Sequence, residues 1–83
     1  MNFMEEAAIL EEIRVQLKIQ KRNRAFPDHV CGQAGIVATY AGKVMDLAVQ
    51  QKYGDLEDVV TKSNLRFELL RTAAAAIRMI ENL

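Results

Sequence analysis

Residues 65–83 read LRFELLRTAAAAIRMIENL and carry the strongest helical pattern in the chain. Apolar or small side chains recur there at steps of three and four residues, the spacing that puts them on one face of an α-helix. That face comprises Leu65, Leu69, Thr72, Ala76, Met79 or Ile80, and Leu83, and a second row widens it with Phe67, Leu70, Ala74 and Ile77. The Ala73–Ala76 run has high helix propensity and little side-chain bulk. We therefore expect it where two helices approach closely, inside a bundle or between subunits.

Two further helical patterns precede this segment. The first runs from about residue 4 to residue 22, with apolar side chains at Phe3, Ala7, Leu10, Ile13 and Leu17. Its acidic residues come first and its basic residues last, an order that complements the helix macrodipole. The second begins near residues 30–33 and continues to about residue 51, with a stripe of small apolar side chains at Ala34, Val37, Ala41, Val44 and Ala48.

The breaks between the helical segments carry recognisable signals. Pro27 ends the first helical region, because the residue before a proline avoids the α conformation. Gly54 predicts the end of the second helix, and Asp55 predicts the N-cap of a third helix that begins near Leu56. Ser63–Asn64 is a weaker break that leaves open whether the last helix is interrupted. Strictly alternating β-branched runs are absent, so the sequence predicts an all-α fold of three to four helices.

Composition limits the size and the class of the protein. The chain has 83 residues, of which 51% are hydrophobic, too many for a disordered tail. A single domain over residues 1–83 buries only about 60–65% of its unfolded surface, so we expect a homodimer or homotetramer to complete the core. The 11 basic and 11 acidic side chains cancel, which argues against binding to nucleic acid or to a membrane surface. No apolar run approaches the roughly 20 residues of a membrane span, so we expect a cytoplasmic protein.

Few residues could carry catalysis. His29 is the only histidine, and its place beside Pro27 favours a capping or loop role over a catalytic or metal-binding one. Cys31 is the only cysteine and excludes an internal disulfide. Its pairing with His29 as a nucleophile is the weaker alternative, because residues two apart in a loop rarely point at each other. The acidic pairs Glu5/Glu6 and Glu11/Glu12 have no histidine or aspartate beside them, so we interpret them as solvated. We predict no catalytic residue, metal site or cofactor.

Polar side chains form one stripe on each of the two later helices: Thr39, Lys43 and Asp46 on the second, and Glu68 and Arg71 on the third. If these helices pack antiparallel, the stripes flank a shared groove of mixed charge. One interpretation is two solvated faces with salt bridges. The other is a groove that recognises an anionic ligand through Lys43, Arg71 and Arg78. The basic run Arg14–Arg24 offers a separate phosphate or nucleic-acid patch, although its order also fits a stabilised helix end.

Four segments together resemble a known family: Ile9–Arg14, the Phe26-Pro27-Asp28-His29 turn, Ile36–Val44 and Glu68–Ile80. They are similar to the small MazG-like all-α nucleotide pyrophosphohydrolases, especially short phage-type members. The resemblance spans most of the chain. It implies a MazG-like bundle completed by homo-oligomerisation, as dimers or dimers of dimers, with Mg²⁺ held between two helices.

The chain departs from this family at the residues that hold Mg²⁺. Where the family has Glu-Glu-x-x-Glu, this chain has Thr39-Tyr40-Ala41-Gly42-Lys43, and where it has Glu-x-x-Asp, this chain has Glu68 and Arg71. Mg²⁺ needs carboxylate oxygens, and two fixed cations oppose it. Lysine and arginine can instead neutralise a phosphate directly.

The resemblance therefore implies a catalytically inactive relative that binds or sequesters a nucleotide, a cyclic nucleotide or another nucleotide-derived signal, as a phage-type antagonist of host defence would. Tyr40 could stack on the base. The expected ligand-binding residues are Thr39, Tyr40, Lys43, Asp46, Glu68, Arg71 and Arg78. Two alternatives stay open. One is a structural or protein-interaction module without a small ligand. The other is an active Mg²⁺-dependent pyrophosphohydrolase with a shifted site that uses Asp46 and Glu68.

Overall fold

The computed structural model describes residues 3–23, 25–54 and 58–83, and within these ranges it contains three α-helices and no β-strand. Helix α1 spans Phe3–Asn23, α2 spans Val30–Tyr53 and α3 spans Asp58–Glu81. The prediction of an all-α fold is confirmed. Helix α3 continues through Ser63–Asn64, so the last helix is not interrupted there. The predicted N-cap at Asp55 and the helix start near Leu56 lie outside the described residues.

Both ends of α2 are closed by the residues that the sequence singles out. At the start, His29 is the N-cap in an extended conformation, and its Nδ1 accepts a hydrogen bond of 3.1 Å from the backbone N–H of Cys31. This confirms the capping role of His29. At the end, the backbone N–H of Gly54 donates to the Gln50 carbonyl at 2.7 Å. A Cβ at position 54 would lie 2.6 Å from that oxygen, so a side chain there would push the chain off the cap.

The loop before α2 packs onto the first turn of that helix. The side-chain Nε2 of Gln33 donates to the Pro27 carbonyl at 2.9 Å, and Gln33 is buried. Gly32 makes this contact possible, because a Cβ at that position would lie 2.7 Å from the Cβ of Pro27. The direction in which α2 leaves the loop is therefore set by close packing as well as by the cap.

Helix α3 lies in the centre of the described structure. It packs against both α1 and α2, whereas the backbones of α1 and α2 do not approach each other within these ranges. The fully buried Ala74 and Ala75 lie on α3, together with the buried Leu70. Ala73 and Ala76 remain partly exposed. The middle of the alanine run is thus buried inside the chain, whereas its two ends are only partly covered.

Polar contacts join α1 to α3 along their length. Lys21 and Glu81 form an ion pair with an Nζ–Oε1 distance of 2.8 Å, and Arg66 pairs with Glu12. Because the later residue of α1 meets the later residue of α3, the two helices run parallel. Helices α2 and α3 are in contact, and only four residues separate the end of one from the start of the other, so these two helices pack antiparallel.

The three helices leave much apolar surface uncovered. The accessible surface is 6052 Å², against about 5,000 Å² for a compact monomer of this mass. The radius of gyration is 14.0 Å, against about 12 Å for a compact domain of this length. Exposed apolar side chains occur on every helix, among them Leu10 on α1, Met45 on α2 and Ile80 on α3. None of the described helices is long and apolar enough to span a membrane.

Candidate functional site

A groove opens where α1 and α2 both pack on α3 without closing on each other. Its volume is 490 Å³. Helix α1 supplies one wall, Tyr40 of α2 supplies the other, and Phe67 and Arg71 of α3 form the floor. The α1 wall consists of Gln16, Ile19, Gln20 and Asn23. The expected groove between two helices is therefore a groove between three.

Arg71 is the centre of this groove. Its guanidinium carbon lies 4.7 Å from the ring centroid of Tyr40 and 5.4 Å from that of Phe67, distances typical of cation–π contacts. Its Nη1 donates to Oε1 of Glu68 at 3.0 Å. Its backbone carbonyl accepts a hydrogen bond of 3.0 Å from Nε2 of the buried Gln20. Two rings and one carboxylate thus hold the cation in one orientation, and Gln20 of α1 fixes the backbone of the same residue.

Glu68 is only half satisfied by this arrangement. Its side chain is 14% exposed, and one oxygen is bound by Arg71. The other oxygen, Oε2, is buried and has no hydrogen-bond partner within the described part of the chain. A buried carboxylate oxygen without a donor is unfavourable. The pair therefore has capacity for one more N–H or O–H group.

Lys43 contacts the Tyr40 ring beside the groove, although it does not line the cavity itself. The ammonium nitrogen of Lys43 lies 5.6 Å from the centroid of the Tyr40 ring, and the lysine is otherwise exposed. Tyr40 itself is 3% exposed, beneath Lys43 and Arg71. Of the two rings at the groove, the one more open to a stacking ligand is Phe67, which is 47% exposed. The structure thus brings together Tyr40, Lys43, Glu68 and Arg71.

The other three predicted site residues lie apart from this cluster. Thr39 donates its hydroxyl to the Gly35 carbonyl of its own helix at 2.8 Å. Asp46 is exposed on α2, one turn beyond Lys43. Arg78 lies two turns along α3 from Arg71. Its Nη1 donates to the Gln20 carbonyl at 3.2 Å, and its guanidinium carbon lies 4.6 Å from the Phe26 ring centroid. Arg78 therefore ties α1 and the following loop to α3.

Sequence reasoning missed the residues that α1 contributes. Gln16, Gln20 and Asn23 follow one another at steps of four and three residues, so they share a face of α1. This row of amide side chains beside the apolar stripe of α1 was the sequence signal that could have predicted the wall. Phe67 was expected to extend the buried face of the last helix, but it lies on the floor of the open groove.

Arg14 and Lys21 of the basic run of α1 each pair with an acidic side chain. Arg14 lies 3.6 Å from Glu11, and Lys21 lies 2.8 Å from Glu81. Arg24 lies outside the described residues. This arrangement fits the interpretation of a stabilised helix end.

The residues around Glu68 do not suit the Mg²⁺ ion that the MazG-like resemblance implies. Glu68 is paired with Arg71, and Lys43 lies beside the same tyrosine ring. Over residues 3–23, 25–54 and 58–83, no three histidine, cysteine, aspartate or glutamate side chains lie close enough to share a metal ion. Mg²⁺ prefers several oxygen ligands in near-octahedral geometry.

Comparisons with protein-family models, with curated proteins and with solved structures find no match. The MazG-like resemblance therefore stays a prediction from the sequence. What the groove can do has to be argued from its own residues.

Proposed function

We propose that the groove binds a nucleotide or a nucleotide-derived signal without hydrolysing it, with Arg71 as the anchor for the phosphate. On this proposal the protein is a catalytically inactive relative of the MazG-like pyrophosphohydrolases. Sequestering such a signal would antagonise a host defence in the phage setting that the resemblance implies. The observation that carries the proposal is a guanidinium held between two aromatic rings at the floor of a 490 Å³ groove.

The phosphate end of the ligand would lie against Arg71 and Lys43. The contact with Glu68 uses one nitrogen of the guanidinium, and the planar group keeps further N–H donors for oxygen atoms of a phosphate. Lys43 adds a second cation on a flexible stem. Counting Glu68, this cluster has a net charge of +1, which favours an anion over a neutral molecule.

The base end would lie against Phe67 and the amides of α1. An exposed aromatic ring can stack on a base, a contact worth about 1–3 kcal/mol. Gln16 and Asn23 line the same groove and can both donate to and accept from the edge of a base. The groove volume lies within the roughly 300–1,000 Å³ that is usual for small-molecule sites.

A protein-interaction module is the second candidate function, because large apolar side chains remain exposed on all three helices. The two candidates differ in what stabilises the protein. A nucleotide binder is stabilised by its ligand, by about 2.7 kcal/mol at a concentration 100 times its dissociation constant. An interaction module that has no small ligand is not stabilised by added nucleotides.

The test is a thermal-shift screen with nucleoside mono- and triphosphates and cyclic nucleotides, followed by calorimetric titration of any nucleotide that raises the melting temperature. We expect Lys43→Glu to abolish the shift, because it replaces a cation that would meet the phosphate with an anion. Lys43 is exposed, so its replacement leaves the fold intact. Lys52→Glu is the matched control, with the same change of charge at the end of the same helix. A nucleotide that binds both variants equally would contradict the groove assignment.

The same samples decide whether the ligand is turned over. Incubation with Mg²⁺ and each nucleoside triphosphate is expected to release no pyrophosphate. Suppose instead that the wild type releases pyrophosphate and that Lys43→Glu or Glu68→Gln changes the rate of release. That result would support the active hydrolase.

A further inference from the structure

We propose that a second copy of this chain covers the outer face of α3, and that the two α3 helices pair antiparallel about a two-fold axis. This outer face consists of Leu65, Leu69, Ala73, Ala76, Ile80 and Leu83, which share one side of the helix. The proposal is independent of the ligand groove, because Phe67 and Arg71 lie on a different side of α3.

The outer face is apolar and open. Leu69 is 53% exposed, Ile80 is 66% exposed and Leu83 is 78% exposed. Between them lie Ala73 and Ala76, which the folded chain covers only in part. The other two alanines of the run, Ala74 and Ala75, are fully buried against the rest of the chain. Helix α3 therefore has small residues on two sides, and the described structure covers one of those sides only in part.

The four central residues of this face, Leu69, Ala73, Ala76 and Ile80, have the same spacing in both directions, whereas Leu65 and Leu83 lie outside this symmetric set. From Leu69, the next alanine comes four residues later, the second alanine three residues after that, and Ile80 another four residues on. A two-fold axis between positions 74 and 75 places Leu69 opposite Ile80 of the second copy, and Ala73 opposite Ala76. Two-fold interfaces require such self-complementarity. The alanines let the two backbones approach, and the large side chains pack at either end.

The surface also offers a hollow for the partner's side chain. A cavity of 240 Å³ lies between α1 and α3 beside Leu69, and Ile9 and Ile13 line its other side. In the antiparallel pairing, Ile80 of the second copy comes opposite Leu69. A projecting isoleucine would thus meet an aliphatic hollow, twice in each dimer.

The uncovered area agrees with the size of a stable interface. The accessible surface of 6052 Å² exceeds that of a compact monomer by about 1,000 Å². A standard protein–protein interface buries about 800 Å² on each partner. The excess, which is spread over all three helices, is thus of the same order as the area that one standard interface buries on each partner.

The first test is the mass of the protein in solution, measured by light scattering over a range of concentrations. We expect twice the 9.4 kDa of the chain. Ile80→Glu should give a monomer with the helical content of the wild type, because Ile80 projects from the folded chain. Met45→Glu is the control, since Met45 is 63% exposed on α2. A monomeric wild type, or a dimer that Ile80→Glu leaves intact, would overturn the proposal.

The second test fixes the direction of the pairing through cysteine cross-links in a Cys31→Ser background. We expect a disulfide when chains with Leu69→Cys are mixed with chains with Ile80→Cys, because the two positions face each other. Neither variant should cross-link with itself, since identical positions are offset by about 16 Å along the helix and a disulfide needs Cα atoms within about 7 Å. Self-cross-linking of Leu69→Cys would indicate a parallel pairing and refute the antiparallel one.

Discussion

Arg71 combines contacts of different strength. Cation–π contacts with Tyr40 and Phe67 are typically worth about 0.5–2 kcal/mol. The ion pair with Glu68 is stronger here than on a surface, because the side chains are only 19% and 14% exposed and water screens them little. The ion pair should therefore dominate the energetic role of Arg71, while the rings set its orientation.

Arg71→Met is expected to lower the free energy of unfolding by about 2–4 kcal/mol, because it leaves a largely buried carboxylate without a cation. Adding Glu68→Gln to this variant should recover part of the loss, since the charge is then gone. Urea unfolding of the wild type, both single variants and the double variant measures the coupling energy. A coupling near zero would contradict a functional ion pair at the floor of the groove.

The sequence placed Lys43 on one helix and both Glu68 and Arg71 on the next, and it missed the wall of the groove that α1 supplies. Lys43, Glu68 and Arg71 follow from helical spacing, because spacing decides which residues share a face of one helix. The contribution of Gln20 does not follow from spacing. It depends on how α1 packs on α3, which is set by side chains distant in the chain. Phe67 was assigned to the apolar packing face of the last helix for the same reason. No local pattern shows that α1 and α2 stay apart and leave a groove above this side chain.

The ends of helix α2 show where local sequence is a reliable guide. A cap involves only the residues around it, so the roles of His29 and Gly54 could be predicted without knowing the fold. The four glycines of the chain illustrate the limit of this approach. Gly32 and Gly54 are required by close contacts, whereas a Cβ at Gly35 or Gly42 would meet no atom within 4 Å.

His29→Ala is expected to lower the free energy of unfolding by about 1 kcal/mol, the usual effect of losing an N-cap. His29→Asn should restore most of it, because asparagine also accepts from the first N–H groups of a helix. Thermal unfolding followed by circular dichroism compares the two variants. If both variants lose the same free energy of unfolding, the imidazole of His29 contributes through packing and not through the hydrogen bond that its Nδ1 accepts.

Gly42→Ala is expected to raise the free energy of unfolding by about 1 kcal/mol, because alanine favours the helix interior and position 42 is open. For a chain of this size, that change corresponds to about 4–8 °C in melting temperature. Gly54→Ala, in which the new Cβ would clash with the Gln50 carbonyl, should lower it. Destabilisation by Gly42→Ala would mean that position 42 is covered by an element outside the single chain.

The whole chain uses α3 on several sides at once. One side buries Ala74 and Ala75 within the chain, and another side presents Phe67 and Arg71 to the groove. The outer face exposes Leu69 and Ile80. Composition predicted that so short a chain would need a partner, but it could not tell which face the partner covers. The exposed fractions and the symmetric spacing on α3 are the basis for our proposal that a second copy covers the outer face. A dimer formed there leaves the groove open, so ligand binding and self-association can be disrupted separately.

A dimer that completes the core makes the stability of the protein depend on its concentration. Unfolding then also separates two chains, so each tenfold dilution removes about 1.4 kcal/mol per dimer, which is about 3–5 °C in melting temperature. We expect this dependence in the wild type and in Met45→Glu. We expect it to vanish in Ile80→Glu, which should melt at one temperature throughout and at a lower one than the wild type. Calorimetric scans over two decades of concentration provide the measurement. A wild-type melting temperature that does not change with dilution would mean that three helices suffice, and that the apolar face of α3 contributes nothing to the stability of the fold.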